Sequence, residues 1–191
     1  MDAKRQTHRL PGTYVAALRE RPMTAAASAV AVGGSATILG AWFFQYVLGY
    51  MPCPLCLEQR YAYYFGIPLA VLVVLGESVG SSRKVLLLAL AAITAGMLWN
   101  TGLSAFHAGV EWKWWPGPRD CSGPLDSLSS GGLLQSLQSI HVARCDDAAW
   151  RFLGISLAGY DVLISAALAA IAGWGFWAGL RQAQGSSSVS Q

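Results

Sequence analysis

The stretch Pro52-Cys53-Pro54-Leu55-Cys56-Leu57-Glu58-Gln59-Arg60 decides how many times this chain can cross a membrane. It ends an uncharged run that starts at residue 22, and it precedes a second apolar run, 61–76, of only sixteen residues. At about 1.5 Å per residue, such a helix is shorter than a hydrocarbon core of about 30 Å. A span here must begin upstream, near Pro54. This start places Cys56 and Arg60 on the first turns of a transmembrane helix.

Composition and charge distribution place the rest of the chain in a bilayer as well. Of the 191 residues, 54% are hydrophobic and only 12% are charged, against roughly 25% charged in a typical soluble domain. Residues 22–57, 85–110 and 162–180 contain no charged side chain, and about 20 apolar residues cross a bilayer. The sequence therefore predicts an all-α integral membrane protein, a bundle of four transmembrane helices. The formal charge of +3 is too small and too scattered to indicate a nucleic-acid partner.

The charge pattern also predicts the boundaries of the segments. We expect a single membrane domain over residues 1–185, with spans at about 25–49, 55–76, 85–107 and 156–180. Residues 1–22 are predicted to be a basic cytoplasmic extension, and residues 186–191 a flexible cytoplasmic tail. The first apolar run is too long for a cleavable signal peptide, which indicates an uncleaved signal anchor.

Lysine and arginine are distributed unequally between the two sides of this bundle. Eight of the 13 fall on the side of the two termini, and five fall on the opposite side. Such an excess marks the cytoplasmic side. We therefore expect both termini in the cytoplasm and the loops 49–60 and 110–150 facing outward.

All four cysteines lie in these two outward loops, at Cys53, Cys56, Cys121 and Cys145. An even number of thiols on the oxidising side indicates disulfide chemistry, either structural or catalytic, and three full pairings are possible. A structural zinc site would use two closely spaced pairs, whereas Cys121 and Cys145 are 24 positions apart. We therefore predict no metal, while two purely structural disulfides remain an alternative.

The first cysteine pair stands where a helix should begin. Proline disfavours a helical conformation in the residue before it and suits the first helical position, so Cys53 should be extended. Cys56 then falls in the first turn, where free amides and the helix dipole should depress its thiol pKa. Arg60 lies one turn deeper on the same face, where it can stabilise a thiolate or a developing oxyanion.

These features together favour thiol exchange across a membrane boundary. Electrons taken from external thiols need an acceptor that dissolves in the membrane, and a lipid quinone meets this demand. His107 is predicted to be a hydrogen-bonded interfacial residue. Asp161 is predicted to be an interfacial cap, with a role near Arg60 as the alternative. The loop between Cys121 and Cys145 suits either a short amphipathic helix on the membrane or an irregular loop.

Several segments resemble the bacterial disulfide bond formation protein B (DsbB) family. They are Phe44-Gln45-Tyr46, Pro52 to Arg60, His107 to Trp112, Trp115-Pro116-Gly117-Pro118 with Cys121, and Cys145 with residues 150–159. The resemblance covers nearly the whole chain. It implies a thiol:quinone oxidoreductase of the bacterial inner membrane, with its active cysteines on the periplasmic side. Such a protein reoxidises a periplasmic DsbA-type thiol oxidase and passes the electrons to ubiquinone or menaquinone.

The resemblance also implies a role for each matching residue. Cys121 corresponds to the thiol that the partner's thiolate attacks, and Cys145 is its disulfide partner. Cys145 would then attack Cys53 and release Cys56 as the thiolate that faces the quinone. Arg60 corresponds to an arginine that supports the quinone, and His107 to a histidine near the quinone ring.

Three alternatives remain open from the sequence. The chain could be a paralogue that serves a dedicated DsbA-like partner, or a non-enzymatic four-span protein whose disulfides hold its loops. An enzyme of the vitamin K epoxide reductase type would also combine a Cys-x-x-Cys with a quinone, but there the quinone-side pair is expected late in the chain. The N-terminal extension is longer than the resemblance implies. Asp161 also departs from it, because asparagine is expected at that position.

Overall fold

The computed structural model describes residues 21–118 and 144–188, with side chains as far as residue 184. The described helices are α1 (Pro22–Trp42), α2 (Pro54–Ser78), α3 (Arg83–Glu111) and α4 (Leu157–Ser188). A π-helical segment, Phe43–Val47, continues α1, and two short strands, β1 (Arg151–Phe152) and β2 (Ile155–Ser156), precede α4. All four helices are long and apolar enough to cross a membrane. The predicted four-helix membrane bundle is confirmed.

The helices pack in chain order around a closed ring. Each contacts the next along the chain, and α4 returns to α1, with the largest interface between α3 and α4. Short connections join α1 to α2 and α2 to α3, as is common between neighbouring helices of a bundle, whereas the long segment 112–156 joins α3 to α4. The interior holds mainly aliphatic and small side chains, including Val30, Ala70, Val73, Leu90, Ile93, Met97 and Ala172.

Large apolar side chains cover the outer surface of the bundle as well as its centre. Val32, Leu88 and Trp99 are each more than 70% exposed, which would be costly in water and suits lipid contact. Because lipid is as apolar as these side chains, close packing between helices must hold the bundle together. Gly34 allows such close packing of α1 on α2, because an added Cβ would lie 3.0 Å from Ile67 Cγ1.

Some helix ends differ from the predicted boundaries. The first helix begins at Pro22, inside the predicted extension, and the third continues to Glu111 instead of ending near residue 107. The last helix runs to Ser188, three residues into the tail predicted from residue 186. Residues 1–20, Cys121, most of its loop and residues 189–191 lie outside the described residues.

The β-hairpin is an element that the sequence analysis does not predict. Its strands pair antiparallel, with Arg151 opposite Ser156 and Phe152 opposite Ile155. The two turn residues, Leu153 and Gly154, have φ of 49° and 81°, as a type I′ turn requires. Leucine rarely adopts a positive φ, so this turn is hidden from sequence reasoning.

Candidate functional site: a cysteine pair between a sulfur cluster and an apolar cavity

The N-terminus of α2 has the predicted geometry. Cys53 is the N-cap residue, with an extended backbone at φ −76° and ψ 166°, and Pro54 follows it at the start of the helix. The sulfur of Cys53 accepts a hydrogen bond from the backbone N–H of Cys56 at 3.3 Å. A side chain in this position commonly satisfies an amide that has no partner within the helix.

The two thiols of the pair touch each other. Both cysteines are free, and their Sγ atoms lie 2.8 Å apart. The hydrogen bond from Cys56 is the main reason that the pKa of Cys53 falls from 9.0 to about 5, with His107 adding to it and burial opposing it. The prediction that the helix start favours a thiolate at Cys56 is therefore wrong. The available helix amide bonds to Cys53 and contributes to the lowered pKa of its thiol.

A histidine from α3 lies on the other side of Cys53. His107 Nε2 is 3.5 Å from Cys53 Sγ, and its Nδ1 is 3.0 Å from Gln59 Nε2. Since an amide nitrogen can only donate, this assignment makes Nδ1 the acceptor and places the proton of a neutral ring on Nε2, facing Cys53. The ring is only 2% exposed.

A carboxyl group stands one turn beyond this histidine. Glu111 Oε1 is 3.9 Å from His107 Nε2, as the i, i+4 spacing on α3 allows. Its second oxygen, Oε2, is buried and has no hydrogen-bond partner within the described part of the chain. The sequence analysis does not select Glu111, because the predicted helix ends before it.

The second loop brings Cys145 to the same place. Cys145 is fully buried and disulfide-bonded to a cysteine outside the described residues. The ligand atoms of Cys53, His107 and Cys145 all lie within 4.8 Å of one another. A disulfide sulfur lacks the thiolate charge that binds a metal ion, so a bonded Cys145 does not suit a metal site, and the geometry places its sulfur close to that of Cys53. Cys53, His107, Glu111 and Cys145 are called the exchange site below.

Ion pairs and an indole ring hold the ends of α3 and of the second loop together. Asp146 bonds to Lys113 Nζ at 2.6 Å and to Arg144 at 2.9 Å, and these two cations hold the pKa of Asp146 well below its usual range. The ring of Trp115 covers Gly109 so closely that an added Cβ would lie 2.1 Å from it. These contacts position the residue next to Cys145.

Cys56 faces a different environment, an apolar cavity of about 420 Å³ between α1, α2 and α4. Most of its wall is hydrocarbon or aromatic. Its polar side chains come from three helices and the segment that follows α1. They are Thr37, Gln45, Tyr50, Cys56, Gln59, Arg60, Tyr63, Tyr160 and Asp161.

Arg60 is the cation in the wall of this cavity. Its Nη1 donates to Gln45 Oε1 at 2.6 Å. Gln45 belongs to the π-helical segment Phe43–Val47, and such wide turns frequently occur at functional sites. The predicted position of Arg60 one turn below Cys56 is confirmed, but its partner Gln45 is a residue to which the sequence analysis assigns no role.

Asp161 lines the same cavity, beside Tyr63. Its carboxylate accepts hydrogen bonds from Tyr63, from Asn100 at 3.0 Å and from Ser104 at 2.6 Å. These donors come from α2 and α3, so the network ties three helices together. The interpretation of Asp161 as an interfacial cap is wrong, because a charged group in this setting is satisfied inside the bundle. Its alternative, a position near Arg60, fits the shared cavity.

The β-hairpin brings aromatic rings to the mouth of the cavity. Trp150 packs on Phe44 with 5.1 Å between ring centroids, and it stacks on Phe152 of β1 at 5.8 Å. Tyr160 donates to the carbonyl oxygen of Phe152 at 3.1 Å. The hairpin therefore anchors the start of α4 next to the cavity.

The described site residues thus divide into two groups. Cys53, His107 and Cys145 meet at the exchange site, while Cys56 and Arg60 line the cavity. His107 is not among the residues that line the cavity. Cys121 lies outside the described residues.

The fold and this site define a class: a multi-pass membrane protein with a reactive cysteine pair at the end of a transmembrane helix. The family of the disulfide bond formation protein DsbB matches residues 23–175. The chain belongs to this family.

Curated relatives agree with this assignment. Disulfide bond formation protein B of Xanthomonas campestris pv. campestris (strain 8004) is 31% identical over 153 residues, which cover 74% of this chain and 81% of the relative. The protein of the same name from Albidiferax ferrireducens is 30% identical over 131 residues, 64% of this chain and 69% of the relative. That from Nitrosomonas eutropha is 28% identical over 152 residues, 70% and 82% respectively. No solved structure matches the chain.

Proposed function

We propose that this protein is a thiol:quinone oxidoreductase of a bacterial inner membrane. It reoxidises a periplasmic DsbA-type thiol oxidase and passes the electrons to the membrane quinone pool, which supports disulfide bond formation. The observation that carries the proposal is the position of one cysteine pair between two environments. Cys53 lies within 4.8 Å of disulfide-bonded Cys145, and Cys56 lines an apolar cavity.

The exchange site supports the transfer of electrons into the helix pair. In the proposed sequence, the thiolate of the partner attacks Cys121 and Cys145 leaves; the second thiol of the partner then releases Cys121, so the partner departs as a disulfide and the loop pair becomes a dithiol. Cys145 then forms a bond with Cys53, and the electron pair of the broken Cys53–Cys56 bond goes to Cys56. Because buried Leu55 and Val110 pack around Cys53 and Cys145, this step takes place away from water and from competing thiols.

The cavity has the chemistry that a quinone head group requires. Its volume falls within the range of about 300–1,000 Å³ that small-molecule sites have, and the rings of Phe44, Tyr50 and Tyr160 form part of its wall. A bound ubiquinone or menaquinone would supply a two-electron acceptor. Arg60 carries a permanent charge and can donate hydrogen bonds to an oxygen on which negative charge develops.

The sidedness belongs to the same proposal. The excess of lysine and arginine near the termini supports cytoplasmic ends, with the exchange site at the periplasmic surface. A DsbA-type partner then reaches Cys121 from the periplasm. The cavity, lined by α1, α2 and α4, is reached from the lipid phase.

A turnover assay with purified protein tests this function. Reduced DsbA-type oxidase and a short-chain quinone are mixed with the protein, and quinone absorbance is followed. Turnover should be lost in Cys56→Ser and in Cys121→Ser, whereas Ser78→Ala, at the opposite end of α2, should retain it. Full activity in either cysteine variant would refute the assigned roles. Stable disulfides that ignore both reactants would favour the non-enzymatic four-span alternative, and quinone reduction with only a different thioredoxin-like partner would favour the dedicated paralogue.

A further inference from the structure

The steps above give no role to Glu111, although it is the buried acid of the exchange site. Only 8% of its surface is exposed, and Oε2 has no partner among the described residues. A buried carboxyl oxygen without a hydrogen bond is costly and rare. Glu111 belongs to the same site as Cys53, Cys145 and His107, where the proposed thiol exchange takes place. A buried, unpaired carboxyl oxygen at this position calls for a chemical explanation.

Geometry connects this carboxyl to both sulfurs through one imidazole ring. His107 Nε2 is 3.5 Å from Cys53 Sγ and 3.9 Å from Glu111 Oε1, and a nitrogen of the same ring lies within 4.8 Å of Cys145 Sγ. Gln59 holds the other ring nitrogen at 3.0 Å. The nitrogen that faces Cys53 is therefore also the nitrogen that faces the acid.

We infer that Glu111 is the proton acceptor of the exchange site, and that the N–H of His107 Nε2 positions Cys53 beside it. The inference rests on the proposed thiol exchange and adds a residue to it. As Cys145 bonds to Cys53, the proton of the Cys145 thiol is taken up by the Glu111 carboxylate, while the N–H of His107 Nε2 stays in place beside Cys53. The Cys53–Cys56 bond breaks with its electron pair on Cys56.

The step balances when the loop closes again. Cys121 bonds to Cys145, Cys53 leaves as a thiolate, and the proton of Cys121 goes to Cys56. A loop dithiol, the helix disulfide and a carboxylate thus become a loop disulfide, one thiolate, one thiol and a carboxylic acid. Two protons and two electrons enter the site together, and the total charge is unchanged.

The described state matches the product of this step. Cys145 is disulfide-bonded, and Cys56 is hydrogen-bonded to Cys53, whose pKa is lowered to about 5. The charged and titratable groups that interact with Glu111 are Cys53, Cys56, His107 and Arg151, and the hydroxyl of Ser156 also reaches it. With one buried thiolate already present, a second negative charge would repel it unless Glu111 carries the proton.

The proton count of the helix pair tests the inference. Full-length protein in nanodiscs is equilibrated with thiol–disulfide buffers of known potential between pH 6 and 8, and the reduced fraction of Cys53–Cys56 is measured by alkylation and mass. If Glu111 and Cys56 each take a proton, the equilibrium constant for reduction of the Cys53–Cys56 disulfide, measured against a reference of fixed potential, changes about hundredfold per pH unit. This corresponds to a change of about 59 mV in its reduction potential. In Glu111→Gln the equilibrium constant should change about tenfold, or about 30 mV.

Exposed Glu58, also close to the pair in sequence, gives the matched control. Glu58→Gln should keep the slope of the unmodified protein. An infrared difference spectrum adds a readout independent of activity: reduction should produce a carboxylic acid band that Glu111→Gln lacks. An unchanged slope in Glu111→Gln, or no such band in the unmodified protein, would overturn the inference. If the unmodified protein fails to exchange electrons between its two cysteine pairs at all, the proposed function fails instead.

Discussion

The exchange site and the cavity begin at cysteines three residues apart, yet they differ in nearly every physical property. The exchange site is closed and polar, with His107 and Glu111 buried beside two sulfur-bearing residues. The cavity is open and mostly apolar, with Arg60 as the cation in its wall. Under the proposed function, a protein partner and a lipid-soluble acceptor therefore meet different sulfurs of one pair. The helix start would then separate two reactions that would interfere if they shared a site.

The comparison predicts that a change in the cavity leaves the exchange site intact. Arg60→Gln removes the charge that stabilises negative charge on a bound oxygen, so quinone reduction should slow by about 10²–10³-fold. Electron transfer from the Cys145 pair to Cys53 should keep its rate. Rapid mixing with quinone, and separately with reduced partner, measures the two steps.

The control for this variant is Lys84→Gln, which removes a charge at the exposed start of α3. It should change neither step. Equal slowing of both steps in Arg60→Gln would show that the two regions are not separate.

A smaller effect is expected from His107→Asn, which changes the exchange site and should leave the cavity unchanged. His107→Asn removes the imidazole hydrogen bond to the Cys53 thiolate, so the pKa of Cys53 should rise above about 5. A lowered pKa keeps the thiolate at every pH above it, and a raised pKa removes the thiolate first at the acidic end. Alkylation of reduced Cys53 should therefore slow about tenfold at pH 6 and little at pH 9. The measurement is the pH profile of iodoacetamide labelling followed by mass spectrometry.

This variant also separates two roles for the histidine. If His107 acts only on Cys53, the KM for quinone should stay unchanged, because His107 is not among the residues that line the cavity. A large rise in that KM with an unchanged labelling profile would place the histidine at the quinone instead.

The smallest effect is expected at the surface ion pairs that hold the second loop. Asp146→Asn should slow electron transfer from Cys145 to Cys53 by less than about fivefold, since exposed pairs contribute little. The pKa of Asp146 is lowered, so its contribution is complete above the ordinary carboxyl pKa of about 4 and is lost only as pH falls below it. Exchange rates at pH 5 and 7 should show the same ratio of variant to unmodified protein. Asp147→Asn, on the exposed neighbour, is the control.

The sequence predicts the structure correctly where nearby residues fix the local backbone or the position of a span. Proline fixes the backbone on both sides of it, so the extended Cys53 and the start of α2 follow from Pro54 alone. Charge segregation gives four spans, because burying a charge in lipid is costly wherever it occurs. Helix spacing places Arg60 below Cys56.

The remaining features depend on how helices are rotated against one another. Nothing local indicates that Asp161 accepts bonds from Tyr63, Asn100 and Ser104 on two other helices. The pKa of Cys53 is lowered because its sulfur accepts hydrogen bonds from the thiol and the backbone amide of Cys56, which helix position by itself does not decide. Glu111 enters the site because α3 continues one turn past His107.

The most direct test of the proposal that Cys53 and Cys56 serve different reactants is a single turnover without the loop cysteines. The variant Cys121→Ser with Cys145→Ser retains Cys53 and Cys56, and it is reduced, freed of reductant and mixed with short-chain quinone. The proposal predicts one quinone reduced per protein, with formation of the Cys53–Cys56 disulfide, and no reduction when Cys56→Ser is added. Failure of the loop variant to reduce quinone, or reduction that persists without Cys56, would contradict it.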